Sequence, residues 1–393
     1  MSDQDVSRGE AASPVVEIGD RSGPAPGAAL CLSGGGYRAM VFHLGALWRL
    51  NEAGLLRDLK RVSSVSGGSI TAAVLGLKWK RLRFDAEGRA QALVSEVVAP
   101  VRAMSEHTID VSAVLIGKLF PGTVNAKVAE AYDKFLYHGA TLQNLPSDDE
   151  GPRFVINATN VQTGALWRFM KPYMRDYMVG EVKNPAVPLS AAVGASSAFP
   201  PILSPSQLKV DASAYTPGKF GPCGRPPFTT DVVLSDGGVY DNLGLETAWK
   251  RYETIFVSDA GGKMAPEPSP RTNAVEHTMR VFDIVDNQVR NLRKRQVIGS
   301  FQSRDRKGAY WGIRTDIQDY ARGKPGLTLP LDSPQAKTMK LADISTRLAA
   351  LDELTQERLI IWGYAVCDAA LRAHHDQPVA GPAGFPFPAS GVG

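Results

Sequence analysis

The chain has 393 residues, of which 44% are hydrophobic and 21% charged, with a formal net charge of +4. That composition can bury a substantial core and excludes intrinsic disorder. So small a charge excess on this length also excludes nucleic acid as the main partner, because nucleic-acid-binding proteins carry a large basic excess or a basic stripe.

Residues 1–27 are polar and rich in Gly, Pro and Ala, and are expected to form a flexible tail. They have neither a basic n-region nor an apolar h-region, so no secretory signal is expected. The apolar run "AALCLS" (28–33) predicts a strand that gives out into Gly34-Gly35-Gly36-Tyr37-Arg38. Beyond it Met40, Phe42, His43, Ala46, Leu47 and Leu50 recur at three- and four-residue spacing. They predict an amphipathic helix with Gly54 as its C-cap. "RVSSV" (61–65) predicts a second strand, and "GGSITAAVLGLKW" (67–79) a buried helix. Residues from about 80 to 150 read as mainly helical and include the apolar patch "VSAVLIGKLFPG" (111–122), suited to core packing or to a cap over a lipid pocket. "RFVINAT", "DVVLS" and "ETIFVS" predict further strands. Strands alternating with helices predict an α/β fold with a mainly parallel sheet covered on both faces. The helical stretch "DNQVRNLRKRQ" gathers Arg290, Arg293, Lys294 and Arg295, which suit either a solvated face or anionic lipid headgroups. Residues 374–393 are again rich in Pro and Gly and are expected to form a second flexible tail. No run of about 18 apolar residues occurs, so no transmembrane helix is predicted. The three cysteines fit neither a zinc site nor a disulfide framework, which points to a reducing, cytoplasmic setting.

Two glycine turns and an acid stand out. Ser64-Val65-Ser66-Gly67-Gly68 lies between a predicted strand and a predicted helix, the position of a nucleophile elbow, where small residues must flank the serine. The helix N-terminus would then face Ser66 and favour negative charge there. As a plain alternative, Ser66 is a helix cap. Gly34-Gly35-Gly36 leaves backbone N–H groups bare at a helix start, which suits either a pyrophosphate or the oxyanion of acyl transfer. Gly34-x-Gly36-x-x-Ala39 matches the dinucleotide fingerprint, but no acidic residue ends the second strand, and no Gly-Lys-Ser/Thr follows to make a P-loop. The two turns therefore read best as parts of one acyl-transfer site. None of the six histidines follows a predicted strand. Asp236, with Gly237-Gly238 after it, does so and is the favoured base; Asp259, at the end of "ETIFVS", is the rival.

In this order, these residues resemble the patatin-like phospholipase family. The resemblance rests on Gly34-Gly35-Gly36-Tyr37-Arg38, Ser64-Val65-Ser66-Gly67-Gly68, Asp236-Gly237-Gly238, "NATNVQTG" (157–164) and "LSAAVGASSAFPPIL" (189–203), and covers roughly residues 28–262. Ser64 stands where the family's elbow has its first glycine, and Ala39 where the oxyanion loop often has another. The resemblance implies a three-layer α/β/α fold and a Ser66–Asp236 dyad without histidine. It implies an oxyanion hole from Gly34, Gly35, Gly36 and Gly67, no metal and no cofactor, and a phospholipid or other acyl-ester lipid as substrate. Arg38 would hold the glycine loop or a phosphate. Because the motifs must converge, one catalytic domain over 28–373 is expected, with the helical insertion at about 80–150 and a helical region at about 263–373. Two other readings stay open: a Ser-His-Asp hydrolase using His277 or His374, and a module whose glycine turns bind a nucleotide or lipid without catalysis.

Overall fold

The computed structural model describes residues 24–109, 123–329 and 331–393. Among these, ten strands form one sheet. The first is β1 (Ala25–Leu32), which leads into α1 (Gly36–Glu52); β2 (Leu59–Ser64) leads into α2 (Gly67–Lys78). After α3 (Ala99–Ser105) and α4 (Thr123–Tyr132) come β3 (Arg153–Asn160), β4 (Leu166–Phe169), β5 (Tyr173–Asp176) and β6 (Gly180–Lys183). The chain continues through α5 (Leu189–Ser196), β7 (Ser206–Lys209), β8 (Asp231–Asp236), α6 (Gly238–Asp241) and α7 (Glu246–Trp249). It ends with β9 (Tyr252–Asp259), α8 (Ala274–Gln302), β10 (Lys307–Gly312), α9 (Gln318–Gly323), α10 (Gln335–Ala342) and α11 (Glu353–His374).

The central path runs β10-β9-β1-β2-β3 and is parallel throughout. From β3 onward the pairings with β4, β5, β6, β7 and β8 are antiparallel. Strand alternation makes the three layers. In β1, Leu30 and Leu32 join the large core with α1, α2 and α11, whereas Ala29 and Cys31 face a smaller core with Ala248 of α7 and Val297 of α8. Successive side chains of a strand point to opposite faces, so one apolar run feeds both cores.

Both predicted tails differ from expectation where they are described. Ala25–Gly27 already belong to β1. Residues 375–393 lie against the fold: Phe387 meets the Trp48 ring edge-on at 5.9 Å, and Val392 is buried. Arg49 of α1 also donates to the Ala380 carbonyl. The aromatic residues in this Pro/Gly-rich stretch give it apolar area to bury, which a purely polar tail lacks. The patch at 111–122 lies outside the described residues. No described helix is long and apolar enough to cross a membrane.

α1 and α11 cross at close range. Both crossing points are glycines: a Cβ on Gly45 would strike the Ile360 carbonyl, and one on Gly363 would strike the Phe42 carbonyl. Backbones meet here without side chains between them. The buried pair Arg49–Asp368, at 2.9 Å, crosses the same interface. Gly45→Ala and Gly363→Ala should therefore each destabilise the protein by about 2–3 kcal/mol or more, read as a fall in Tm. Gly299→Ala is the control: it sits in α8 with nothing within 4 Å of a built Cβ. That change should stabilise by up to about 1 kcal/mol, the helix-propensity difference. Neutral melts for Gly45→Ala and Gly363→Ala would contradict the close crossing.

Candidate active site

The site is made where two strands meet end to end along a third. β3 is longer than its parallel neighbour β2, whose last residue Ser64 pairs with Ile156. Beyond that point the same edge of β3 is taken by β8, running the opposite way, with Asp236 opposite Ala158. So β2 delivers Ser66 upward while β8 delivers Asp236 downward, and their ends face each other. Asp236 thus reaches the site from an antiparallel strand, not from a third parallel strand end as the alternation of elements predicts. Direction of pairing is a long-range property that a six-residue apolar run does not carry.

Ser66 sits between β2 and α2 at φ 51°, ψ −122°, a conformation that L-residues rarely adopt. Strain of this kind costs about 1–3 kcal/mol and persists only where the surroundings impose it. Here the Ser66 N–H donates to Ser196 Oγ at 3.0 Å and the Val65 N–H to the Leu32 carbonyl at 3.1 Å. Ser196 Oγ is 2.9 Å from Ser69 Oγ, which in turn donates to Ser64 Oγ at 3.0 Å. Ser64, in place of a glycine, is fully buried, and its hydroxyl also donates to the Val155 carbonyl at 3.3 Å. The substitution is accommodated because its polar atom joins a hydroxyl chain that grips the elbow.

The elbow closes on the glycine loop. A Cβ on Gly67 would collide with the Gly36 carbonyl, and one on Gly36 (φ 59°) with the Thr346 and Arg347 carbonyls. Gly34, included among the oxyanion donors on sequence grounds, gives its N–H to the Asn242 carbonyl at 3.1 Å, so that donor is spent on the fold. Gly35 and Gly36 line a cleft of about 350 Å³ together with Ser66, Asp236, Phe199 and Arg290.

Asp236 is 2% exposed. Its Oδ1 accepts the Gly238 N–H at 2.7 Å, while Oδ2 is buried without a partner in hydrogen-bond geometry. Burial pushes its carboxyl up to about 7, against the opposing pull of the Gly238 N–H and the neighbouring Ser66 hydroxyl; Asp286 adds a smaller push upward. Its backbone is fixed on two sides. The Asp236 N–H donates to the Ala198 carbonyl at 2.9 Å, and Thr159 Oγ1 donates to the Asp236 carbonyl at 2.8 Å. The C-terminal end of α5 and the turn that follows it therefore hold both partners, Ser66 through Ser196 and Asp236 through Ala198. These two stabilising residues lie inside the quoted 189–203 stretch, but their roles depend on a fold-level contact that sequence spacing does not reveal.

The rival acid has other work. Asp259 Oδ2 is 2.6 Å from Lys294 Nζ and accepts the Tyr310 hydroxyl at 2.7 Å. Burial alone would raise its carboxyl, but Lys294, Tyr310 and the Gly261 N–H hold it down to about 2. It lines a separate pocket of about 220 Å³ with Arg314 and Thr315.

Among the described residues no histidine lines the Ser66 cleft. His43 lies fully buried beneath the glycine loop, with Nε2 2.9 Å from the Ser33 carbonyl and Nδ1 2.8 Å from Ser258 Oγ. A carbonyl only accepts, so the proton is assigned to Nε2 and Nδ1 accepts from Ser258. Burial pushes His43 down to about 4, and it braces the ends of β1 and β9 as a neutral ring. His374 meets the Tyr320 ring, His375 stacks on Phe256 and His107 on Phe135, while His277 is exposed.

Arg38 is not in the cleft either. Its guanidinium donates to the carbonyls of Ala260, Ala342 and Ile344, each at 2.7 Å, which ties the helix behind the glycine loop to two distant segments. The basic cluster on α8 is likewise turned inward. Arg290 pairs with Asp286 at 2.5 Å, Arg293 with Glu246 at 3.1 Å and Lys294 with Asp259, leaving Arg295 exposed. Carboxylates that are partly or wholly buried need these counter-charges, so three of the four cations are engaged in ion pairs, Arg290 at the lining of the Ser66 cleft.

A family model described as patatin-like phospholipase matches residues 30–249. No curated protein sequence matches the chain. Among solved structures, human GIVD cytosolic phospholipase A2 is similar at 12% identity and a TM-score of 0.48, over 88% of this chain and 61% of that one. The same human enzyme in complex with methyl gamma-linolenyl fluorophosphonate is similar at 14% identity and a TM-score of 0.47, over 88% and 58%. VipD from Legionella pneumophila is similar at 15% identity and a TM-score of 0.35, over 89% and 67%. The chain spans less than two thirds of the human enzyme's length.

The buried carboxyl has a stability consequence. A folded-state value of about 7 lies above the ordinary 3.8, so the acid's contribution is fully present below about 3.8 and is lost as pH rises through about 7. Asp236→Asn keeps the shape without the charge. Its melting advantage over the parent chain should grow between about pH 4 and pH 7, reaching on the order of 3–4 kcal/mol. An advantage independent of pH would mean that Asp236 is not held in a site hostile to its charge.

Proposed function

The chain belongs to the patatin-like phospholipase family, and we propose that it hydrolyses acyl esters of lipids through a Ser66 acyl-enzyme, with Asp236 as the base. The observation that carries this reading is the end-to-end approach of β2 and β8. It sets Ser66, strained and slightly exposed, beside a carboxylate whose Oδ2 has no other partner. A general base works best with a pKa near the working pH, and about 7 meets that demand.

The proposed steps use that geometry. Ionised Asp236 takes the Ser66 hydroxyl proton as Oγ attacks the ester carbonyl. The oxyanion is received by the N–H groups of Gly35 and Gly36, with that of Gly67 behind them. None of these three donates to another group among the described residues. Preorganised donors of this kind stabilise the tetrahedral state by roughly 3–4 kcal/mol each where they have been removed singly. Asp236 then returns its proton to the leaving alcohol oxygen. A water molecule, deprotonated by the same carboxylate, attacks the acyl-enzyme, releases the fatty acid and restores Ser66. Ester and water are consumed, and acid and alcohol are formed. The strained backbone at Ser66 and the buried charge of Asp236 are both costs to the fold that a purely structural turn would not need.

A Ser-His-Asp arrangement lacks support, since each described histidine packs elsewhere or is exposed. A reducing, cytoplasmic setting remains part of the proposal, supported by Cys31, Cys223 and Cys367 standing as free thiols.

With a short-chain soluble aryl ester, kcat/KM should rise with pH through a midpoint near 7, as the free enzyme's Asp236 ionises. Ser66→Ala should remove turnover to background in a chain that still melts cooperatively. His277→Ala and His374→Ala should each retain turnover within a few-fold of the parent, an allowance set by packing effects alone. A loss in either equal to that of Ser66→Ala would move the base to histidine.

A further inference from the structure

The second face of the sheet gathers arginines. Val62, Phe154, Ile156, Trp167, Phe169 and Met174 belong to the large core. Strand alternation therefore sends Arg61 of β2, Arg153 of β3, Arg168 of β4 and Arg175 of β5 to the opposite face. Register pairs them: Arg61 stands opposite Arg153, and Arg168 opposite Arg175. Arg251, in the turn between α7 and β9, is a fifth. Burial lowers the guanidinium pKa of both Arg61 and Arg168, and the like charge of Arg251 lowers both further, so it lies near each of them. Among the described residues, only two carboxylates pair with this cluster. Arg153 Nε donates to Asp148 Oδ1 at 2.9 Å, and Arg175 lies 3.7 Å from Glu181. Arg61 is 3% exposed; it donates to the Thr247 carbonyl at 3.1 Å and sits 5.7 Å from the centre of the Tyr252 ring, but it has no ion pair. The side chains of Arg168 and Arg251 make neither an ion pair nor a hydrogen bond among the described residues. The Nε atoms of Arg61, Arg168 and Arg175 are buried without an acceptor.

We infer that this arginine cluster is a binding site for an anion carrying two or more phosphate groups. Cations taken out of water need counter-charge, and here three of the five lack it. The missing charge is therefore negative and comes from outside the described chain. The residue type narrows the ligand. All five cations are arginine, whose planar fork of N–H donors matches the oxygens of phosphate two at a time. The spacing narrows it further. Arg168 stands opposite Asn157, four residues along β3 from Arg153, so the two arginine pairs are separated by about 13 Å of strand. One phosphate engages one pair, and spanning to the other takes a second, with Arg251 acting on both. The site is apart from the catalytic one: none of the five arginines lines the Ser66 cleft, and Arg61 lies near the start of β2 whereas Ser66 lies beyond its end. The ligand is thus not the ester to be cleaved, and the inference does not rest on the hydrolase reading.

The probe is sodium tripolyphosphate, titrated calorimetrically into the full-length chain, with sodium sulfate at equal ionic strength as the control. The parent chain should bind tripolyphosphate at a single site, and its Tm should rise with ligand concentration. Arg168→Gln with Arg251→Gln should weaken binding roughly tenfold or more, the loss of charge-assisted hydrogen bonds. Neither side chain is bonded in the free chain, so without ligand this variant should melt no lower than the parent. If it does melt lower, Arg251→Gln alone, placed in a turn, carries the comparison. A second arm mixes the protein with phosphatidylcholine vesicles with and without phosphatidylinositol bisphosphate and measures flotation. Flotation that needs the bisphosphate lipid, is displaced by tripolyphosphate and is lost in the glutamine variant assigns the phosphates to a lipid headgroup. Tripolyphosphate binding without flotation assigns them to a free solute. Either result supports the site. Equal heats from sulfate, no binding of tripolyphosphate, or binding that the glutamines leave unchanged overturns it.

Discussion

The meeting of β2 and β8, end to end along one edge of β3, is the constraint on which the site depends. A parallel sheet alone would bring strand ends side by side, separated by a strand spacing of about 4.8 Å and pointing the same way. Here β3 outruns β2 by four residues, from Asn157 to Asn160, and β8 occupies the vacated edge from the opposite direction. The serine and the acid then face each other with no third side chain required between them. Under the proposed mechanism this arrangement lets a carboxylate address a hydroxyl directly, where other architectures place a ring between the two.

Much of the surrounding structure serves to keep that meeting rigid. The elbow strain at Ser66 is held from one side by the hydroxyl chain Ser64–Ser69–Ser196 and from the other by the contact of Gly67 with the glycine loop. The glycine loop is held from below by His43, wedged between Ser33 and Ser258, and from behind by Arg38 on three carbonyls. α1, which begins at that loop, is in turn locked to α11 by the two glycine crossings and by Arg49–Asp368. Chain segments more than 300 residues apart thus support one loop, as the contact of Arg38 with Ala342 shows directly. Fixed donors of this kind need no reorganisation when charge develops, so under the proposed mechanism rigidity here would be a catalytic asset.

The residues proposed to carry the chemistry stand out in the sequence because each sits at a local event, a strand that ends in glycines. Ser66, Asp236 and the glycine loop announce themselves within a few residues. What was not legible depends on partners far along the chain. The run "DVVLS" carries no sign of its antiparallel pairing. Gly34 looks like its neighbours until Asn242 takes its N–H. The basic residues of α8 look like a surface patch until Glu246, Asp259 and Asp286 are found opposite them. Ser64 reads as a blemish in an elbow pattern, and only its contacts with Ser69 and Val155 make it part of the support.

The central claim is that Ser66 is a nucleophile activated by Asp236, and covalent labelling tests it most directly. The intact chain is treated with a fluorophosphonate, and the modified residue is located by peptide mass spectrometry. The account predicts one label per chain, on Ser66, with labelling that slows as pH falls below about 7 and is strongly slowed in Asp236→Asn. Stoichiometric labelling of another serine, or labelling of Ser66 at an undiminished rate in Asp236→Asn, would contradict it.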